Sequence, residues 1–377
     1  MIELMEPQNN VTVSLLTDVL REFMQRERAG EHRCPDGSKT YDEIYHWLDE
    51  KYVHDFWGDY VSNPDRLNLT KPQYIKFTWR ADIPCHLEIF RDAKFPNDPL
   101  AAHVTPTVFD NGVYSATAGN MFMRTEYTWQ VVADDGSQRS EVRAFFTADE
   151  FPRTVYAKGI ANIRDIGAWT TYDGRHVRQG CIYRGAALDY ECSSEYKLSP
   201  EGNYVLGEVV KIKNDADIRY DSVDKLHKSE IDGVAFHHLV CRGCENFYIE
   251  MNFAHLKRVV EFFADENNYP IYFHCAAGAD RTGTLAFFLG ILLGVPVDQL
   301  VADYNLTALT VTARRCLTLA YGTDRGRFEG GQQEGEPIEV TAMRNSERFL
   351  METCGVSRDT IDKLRSNLIE QQKGERT

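Results

Sequence analysis

The chain has 377 residues, of which 43% are apolar, so it can bury sizeable cores, and its length favours two to three domains. With 42 basic and 57 acidic side chains the net charge is −15, which argues against nucleic acid or an anionic membrane as a partner, because both bind basic surfaces. No apolar run reaches the ~18 residues of a membrane span. The first ten residues lack the pattern of a secretory signal, and the nine irregularly spaced cysteines do not suggest a disulfide framework. We therefore expect a cytoplasmic protein without stable membrane insertion.

Two amphipathic helices are predicted near the start of the chain. Apolar residues recur at helical spacing over residues 11–28 and again over residues 41–52, where Ile44, Trp47 and Leu48 share one face. A Pro-Asp-Gly turn at residues 35–37 separates them. These patterns predict a helical segment over residues 1–64.

Residues 67–150 show short runs in which apolar and polar residues alternate, the pattern of strands. The clearest runs are residues 74–79, 86–90, 126–132 and 143–147. Strands at this spacing predict a β-sandwich over residues 65–152. The stretch Thr-Glu-Tyr-Thr-Trp-Gln-Val at residues 125–131, with Trp79 before it, resembles a fibronectin type III module. No catalytic constellation accompanies it, so we expect a scaffold or recognition role.

The rest of the chain, residues 153–377, alternates strands with helices. Strand patterns occupy residues 216–219, 236–240 and 271–273, and helical patterns occupy residues 247–264, 282–293 and 297–306. This alternation predicts an α/β domain with a central, mostly parallel sheet flanked by helices. Such sheets bind ligands at the carboxyl ends of their strands, so the loop after residue 273 is the expected position of a site.

That loop carries the chemistry that the sequence makes most visible. Residues 274–283 read His-Cys-Ala-Ala-Gly-Ala-Asp-Arg-Thr-Gly and lead into the predicted helix. A helix N-terminus and nearby N–H donors favour the thiolate of Cys275, and the Arg281 guanidinium can bind two oxygens of a phosphate. The small residues between them let backbone amides curl around an anion; these are Ala276, Ala277, Gly278 and Ala279. The alternative is a buried structural cysteine that an arginine happens to follow.

The stretch from His274 to Gly283 resembles the phosphate loop of the protein-tyrosine phosphatase superfamily, whose His-Cys, five residues, Arg-Thr spacing it keeps. Its Asp-Arg-Thr-Gly ending is similar to a bacterial branch of tyrosine and dual-specificity phosphatases. Supporting similarity to that branch spans about residues 154–370, in residues 162–167, 173–175, 182–188, 303–304 and 354–356. The resemblance thus covers the whole predicted α/β domain.

The resemblance implies a phosphomonoester hydrolase that forms a phosphocysteine, in first place a protein-tyrosine phosphatase acting on a phosphotyrosine protein or peptide. Cys275 would be the nucleophile, and the amides of residues 276–281 with the Arg281 side chain would hold the phosphate. His274 and Thr282 are expected to orient the loop and to stabilise the thiolate by hydrogen bonding. The chemistry requires no metal and no organic cofactor.

The general acid is the point at which the sequence departs from the superfamily. Many members supply an Asp from a separate loop well before the cysteine. The acidic residues in that part of this chain are Asp232 and Glu245, and neither follows Trp-Pro. Asp280, directly before Arg281, matches an Asp of the bacterial branch and is the first candidate, with Glu245 as the alternative.

Three further features have open interpretations. Cys241 and Cys244 form a Cys-x-x-Cys that could bind zinc or cycle in redox, but no second pair stands at zinc-site spacing, so packed or loop cysteines are favoured. Arg164 and Asp165 could pair under the phosphate loop or cap a strand, and we favour a structural role. Residues 322–337, rich in Gly, Glu and Gln, predict a mobile loop that covers the site or is slack.

Three other functions compete with a protein-tyrosine phosphatase. The same loop serves phosphatases of inositol phosphates or phosphoinositides, although family members acting on polyanionic lipids tend to carry Lys in the loop, where this chain has alanines. An inactive phosphate-binding module is the non-enzyme alternative. Rhodanese-like sulfur transfer also uses a cysteine loop, but Arg-Thr-Gly leading into a helix fits it poorly.

Overall fold

A computed structural model describes residues 2–29, 68–91, 103–105, 107–189, 197–220, 228–242, 248–310 and 326–371. The predicted helix over residues 41–52 lies outside these ranges. Within them, no helix has the length and apolar character needed to cross a membrane.

The first part of the chain forms two sheets. Their strands are β1 (Glu3–Glu6), β2 (Val11–Val13), β3 (Ile75–Arg80), β4 (Cys85–Arg91), β5 (His103–Val104), β6 (Val108–Asp110), β7 (Val113–Gly119), β8 (Glu126–Ala133) and β9 (Arg143–Thr147). One sheet has the order β1-β3-β7-β5, with β6 also paired to β7, and the other has the order β2-β9-β8-β4. All pairs are antiparallel except β2 with β9. The strands predicted near residues 74–79, 86–90, 126–132 and 143–147 are confirmed.

Aromatic side chains join the two sheets. Phe77 of β3 lies edge-on to Trp129 of β8 and to Phe145 of β9, with ring centres 5.2 Å and 5.7 Å apart. All three side chains are fully buried. Residues at alternate positions of facing strands therefore build one shared core, as the alternating pattern predicted.

The prediction for the N-terminal segment is wrong in part. Helix α1 covers Asp18–Ala29, but Val11–Val13 is strand β2, and β1 precedes it. Because β1 pairs with β3 and β2 pairs with β9, the start of the chain belongs to the two sheets and is not a separate helical segment. The run Val-Thr-Val is β-branched and fits a strand, whereas its apolar residues also fall in phase with the helix that follows.

The second part of the chain is an α/β unit, as predicted. Its strands are β10 (Arg164–Asp165), β11 (Ile182–Gly185), β12 (Asn214–Asp217), β13 (Ala235–His238) and β14 (Ile271–His274), in the sheet order β10-β11-β14-β12-β13. All neighbours are parallel except β10 with β11. Gly185 and Asp217 both stand beside His274 in the register, so the carboxyl ends of three strands meet at one edge.

Helices cover this sheet. They are α2 (Pro200–Tyr204), α3 (Glu250–Ala264), α4 (Arg281–Leu292), α5 (Val297–Asn305), α6 (Gly326–Glu329), α7 (Ile338–Arg348) and α8 (Arg358–Leu368). Helix α4 is apolar on every side and lies in the core, where all of its residues except Arg281 are buried. At Gly283 a Cβ atom would stand 2.7 Å from the Tyr304 ring, so glycine permits the close approach of α5.

The predicted mobile loop at residues 322–337 begins its described part with a short helix, and turns follow at residues 330–337. Gly326–Glu329 forms helix α6, and Asn345 of α7 donates hydrogen bonds to the Phe328 and Gly330 carbonyl oxygens. Glu336 forms an ion pair with Arg344. Composition predicted a loop throughout because it does not show that residues of α7 bind this stretch.

Candidate active site

The loop at residues 275–280 connects strand β14 to helix α4. Cys275 follows the last strand residue, and Arg281 is the first residue of the helix. The loop therefore lies at the carboxyl edge of the parallel strands and at the positive end of the α4 dipole, where unpaired N–H groups favour an anion. The structure thus places Cys275 and Arg281 at the two ends of one anion-binding turn.

Four successive carbonyl groups of the loop accept hydrogen bonds from the protein behind it. His274 Nδ1–H donates to the Cys275 carbonyl at 3.0 Å, and the Ala187 amide donates to the Ala276 carbonyl at 2.8 Å. Asn162 Nδ2 donates to the carbonyls of residues 277 and 278 at 3.2 Å and 3.0 Å. Arg184 Nη2 donates to the second of these at 2.9 Å. The backbone curvature of the loop is therefore fixed from the protein side.

Gly278 is required by this arrangement. Its φ of +65° lies in the left-handed region, and a Cβ atom would stand 2.3 Å from the Gly185 carbonyl oxygen at the end of β11. Any other residue would be strained in conformation and would collide with backbone.

Cys275 is buried, with 3% of its surface exposed. Thr282, the second residue of helix α4, is also buried, and its hydroxyl has no hydrogen-bond partner among the residues that the structure describes. The imidazole of His274 contacts the Cys275 carbonyl rather than the thiol. His274 therefore orients the loop through its backbone. The Thr282 hydroxyl remains able to donate a hydrogen bond, as its predicted role beside the thiolate requires.

His274 is held between two carboxylates. Its Nε2 lies 3.0 Å from Asp215 Oδ1, and Asp217 stands beside it on β12. Burial acts to lower the pKa of His274, but the charges of Asp217 and Asp215 outweigh burial and raise the pKa to about 9. Arg219 in turn binds Asp217 and Asp189, each at 2.7 Å. The imidazole next to Cys275 is therefore cationic at neutral pH.

This charge predicts a pH-dependent stability. A pKa that rises from ~6.5 in the unfolded chain to about 9 on folding stabilises the protein fully below pH ~6.5, and the contribution is lost as pH rises through 9. We expect the free energy of unfolding to fall over this window by a contribution on the order of 3 kcal/mol. Denaturant titrations across the window measure it, and His274→Gln should remove most of the slope.

His237 provides the control for that experiment. Its Nε2 lies 2.7 Å from Asn214 Oδ1, and burial lowers its pKa, so its contribution changes only at acid pH. His237→Gln should therefore keep the alkaline slope. An equal slope in wild type and His274→Gln would show that His274 is not the titrating group.

The candidate acids are separated by the fold. Asp280 is partly buried, and its side chain does not cap helix α4. Glu245 lies outside the described residues. Asp232 is exposed, accepts a hydrogen bond from Asn203, and precedes β13 at the amino edge of the sheet. Because the loop lies at the opposite edge, the structure removes Asp232 from consideration.

Arg164 and Asp165 do not pair with each other, so the ion pair considered from sequence is wrong. Arg164 binds Asp303 Oδ1 at 3.1 Å, while Asp165 pairs with the buried Arg153 and accepts from the Gly167 amide at 2.8 Å. Neighbours in a strand point to opposite faces, which sends the two side chains to different partners. Asp165 does have a structural role, but it caps the short 3-10 helix at Ile166–Ala168 rather than a strand.

The Cys-x-x-Cys is described only at its first cysteine. Cys241 is fully buried, its pKa is raised to about 12 by burial, and Cys244 lies outside the described residues. His237 and His238 bond to Asn214 Oδ1 and to the Arg219 carbonyl. The described part of the chain holds no group of three His, Cys, Asp or Glu side chains suited to a metal ion.

Sequence reasoning missed the polar residues that surround the loop. Asn162, Arg184 and Asp303 lie beneath it, and Asp215 and Asp217 flank His274. The sequence of β12, Asn-Asp-Ala-Asp, was the signal that could have found them. Its four residues are buried, and acidic residues are rarely buried without partners, so two aspartates in a central strand indicate nearby polar partners.

One family model matches a range that includes the loop. Residues 155–370, more than half of the chain, match the model of the tyrosine phosphatase family. A stretch of 52 residues is 40% identical to a tyrosine-protein phosphatase of Nostoc commune and covers 14% of this chain and 18% of that protein. The match thus spans less than a fifth of that relative's length. The core catalytic domain of the PP-IP phosphatase SIW14 from S. cerevisiae, solved with citrate, is 18% identical with a TM-score of 0.28, over 38% of this chain and 82% of that one.

Proposed function

The chain belongs to the tyrosine phosphatase family, and from this premise we propose that it is a phosphomonoester hydrolase acting through a phosphocysteine intermediate. One observation carries the proposal. Cys275 and Arg281 stand at the two ends of a turn at the N-terminus of α4, and the carbonyl groups of residues 275–278 accept hydrogen bonds from the residues behind this turn. That arrangement offers a nucleophile and an oxyanion cradle in one place.

In this proposal Cys275 Sγ attacks phosphorus, the bond from phosphorus to the leaving oxygen breaks, and an acid protonates that oxygen. The amides of residues 276–281 and the Arg281 guanidinium hold the three equatorial oxygens. A water molecule, deprotonated by the group that served as acid, then attacks phosphorus. The bond from sulfur to phosphorus breaks, and inorganic phosphate leaves. The chemistry requires no metal.

The proposed substrate is a phosphotyrosine protein or peptide. The loop adds no positive side chain beyond Arg281, since residues 276, 277 and 279 are alanine. The acidic balance of the chain also disfavours an anionic membrane surface.

One observation favours a second candidate, a phosphatase of inositol phosphates or phosphoinositides. The buried Cys241 is followed by Arg242, whose amide donates to Asn252 Oδ1 of helix α3 at 2.8 Å, and Arg258 of the same helix contacts His255. Arg242, next in sequence, stacks on the Tyr220 ring at 4.3 Å. Neither Arg242 nor Arg258 has a carboxylate partner in the described ranges, so this surface could hold a second phosphate.

We further propose that residues 65–152 form a β-sandwich of the fibronectin type III kind and that residues 153–377 form the catalytic domain. The sheets that meet at Phe77 and Trp129 support the first part of this proposal. The strands β1 and β2 join the same sheets, so the N-terminal segment is included in the sandwich. We propose a scaffold or recognition role for this sandwich.

Substrate preference tests this proposal. We expect the full-length protein to hydrolyse an aryl phosphate in the presence of a metal chelator and to show a higher kcat/KM on a phosphotyrosine peptide than on a phosphoinositide. The reverse order, together with a loss of phosphoinositide turnover in Arg242→Ala and Arg258→Ala, would support the second candidate. No turnover of any phosphomonoester would contradict the proposed activity.

A further inference from the structure

Four buried polar side chains behind the loop form one connected group, here called the inner clamp. It consists of Asn162, Arg164, Arg184 and Asp303, each with at most 4% of its surface exposed. Asp303 joins the two arginines, with Oδ1 3.1 Å from Arg164 Nε and Oδ2 2.6 Å from Arg184 Nη1. Arg164 also donates to Asn162 Oδ1. The group is therefore continuous from helix α5 to the loop.

The inner clamp carries two positive charges and one negative charge. Burial acts to lower the pKa of Arg184 to about 9, and the nearby charge of Arg164 acts in the same direction, while Asp303 and Cys275 oppose it. A buried excess of positive charge is costly unless an anion offsets it. An anion held by the loop is placed to do so.

The contacts of the inner clamp with the loop carbonyl groups determine in which direction the loop amides point. In a trans peptide the carbonyl oxygen of one residue and the N–H of the next point in opposite directions. The carbonyl groups of residues 277 and 278 point inward to Asn162 and Arg184. The amides of Gly278 and Ala279 must therefore point away from the clamp, and neither has an acceptor among the described residues.

We propose that Asn162 and Arg184 are positioning residues that turn the amides of Gly278 and Ala279 toward a bound tetrahedral oxyanion, with Asp303 holding both arginines in place. The inference rests on the proposed function, because it assigns the determinants of phosphate binding in that same loop. None of the clamp residues touches the substrate. They act through the loop backbone.

Asn162→Asp is the most informative variant. The side chain keeps its size and its contact with Arg164, and Asp accepts the φ of +65° at this position. It replaces an N–H donor with an anionic oxygen facing the two loop carbonyls, which should rotate them and their following amides. Paired with Arg164, the carboxylate is expected to remain ionised and the fold to persist.

Tungstate, a tetrahedral oxyanion, is the probe, and its Kd is measured by calorimetry on the full chain. We expect the Kd to rise about 10- to 100-fold in Asn162→Asp, because hydrogen bonds to a charged group are lost. The kcat/KM on an aryl phosphate should fall at least as much. Asn162→Gly, which tolerates the positive φ and removes both the donor and the acceptor of Arg164 without adding a charge, should show a smaller loss in the same direction.

Asn120→Asp is the matched control. Asn120 is also buried, has a φ of +60°, and holds backbone through its side chain, donating to the Tyr156 carbonyl at 3.0 Å. Its hydrogen bonds go to Tyr156 and Arg153 and none of them reaches the loop, so its substitution can lower the melting temperature without changing the tungstate Kd.

The outcomes are distinguishable. Wild-type Kd in Asn162→Asp, or an equal loss in both Asp variants, would overturn the positioning role while leaving the phosphatase activity intact. A parent protein that neither binds tungstate nor hydrolyses an aryl phosphate would instead refute the proposed function. A selective loss in the two Asn162 variants, with melting temperatures no lower than that of the control, supports the inference.

Discussion

Replacement of Cys275 by Ser is expected to abolish turnover while the protein continues to bind tungstate. The serine hydroxyl is hardly ionised at neutral pH, so it cannot replace a thiolate as nucleophile, whereas the contacts behind the loop do not involve the side chain of residue 275. We expect the rate on an aryl phosphate to fall by more than about 100-fold, since loss of a nucleophile costs orders of magnitude.

Cys181→Ser is the control for this substitution. Cys181 is buried and precedes β11 at the amino edge of the sheet, and burial raises its pKa to about 11, so it is neither near the loop nor ionised. It should keep wild-type turnover. Retention of more than about a hundredth of the wild-type rate in Cys275→Ser would refute the assignment of the nucleophile.

Replacement of Asp280 by Asn is expected to separate good from poor leaving groups. If Asp280 is the general acid, an alkyl phosphate, whose leaving oxygen needs a proton, should lose most of its rate, about 100-fold or more. An activated aryl phosphate should lose little. The alkaline limb of the kcat profile should disappear in the variant, because that limb reports the loss of the proton from the acid.

Two further variants decide between the candidates. Asp232→Asn is the matched control, since this exposed carboxylate lies at the far edge of the sheet and should affect neither substrate. Glu245→Gln tests the alternative that the sequence left open. Equal losses on both substrates in Asp280→Asn, with the selective pattern in Glu245→Gln, would make Asp280 structural and Glu245 the acid.

The sequence by itself determined the reactive loop and many of the elements around it. Local periodicity located β3, β4, β8 and β9 in the first part and β12, β13, β14 and helices α3, α4 and α5 in the second, because each of these elements records which of its own faces is buried. The spacing from Cys275 to Arg281 defined the loop, because a strand, a tight turn and a helix N-terminus that follow one another need no distant partner to come together. These are short-range properties of the chain.

Only the tertiary structure decided what surrounds that loop. Asn162 and Arg184 lie more than 90 residues before the carbonyl that they both bind, and Asp215 meets His274 because β12 and β14 are neighbours in the sheet. Tertiary contacts likewise decided that β1 and β2 pair with strands of the first two sheets and that Asp165 pairs with Arg153. A buried charge must find its partner across the fold, and local pattern shows the charge without showing which element will supply the partner.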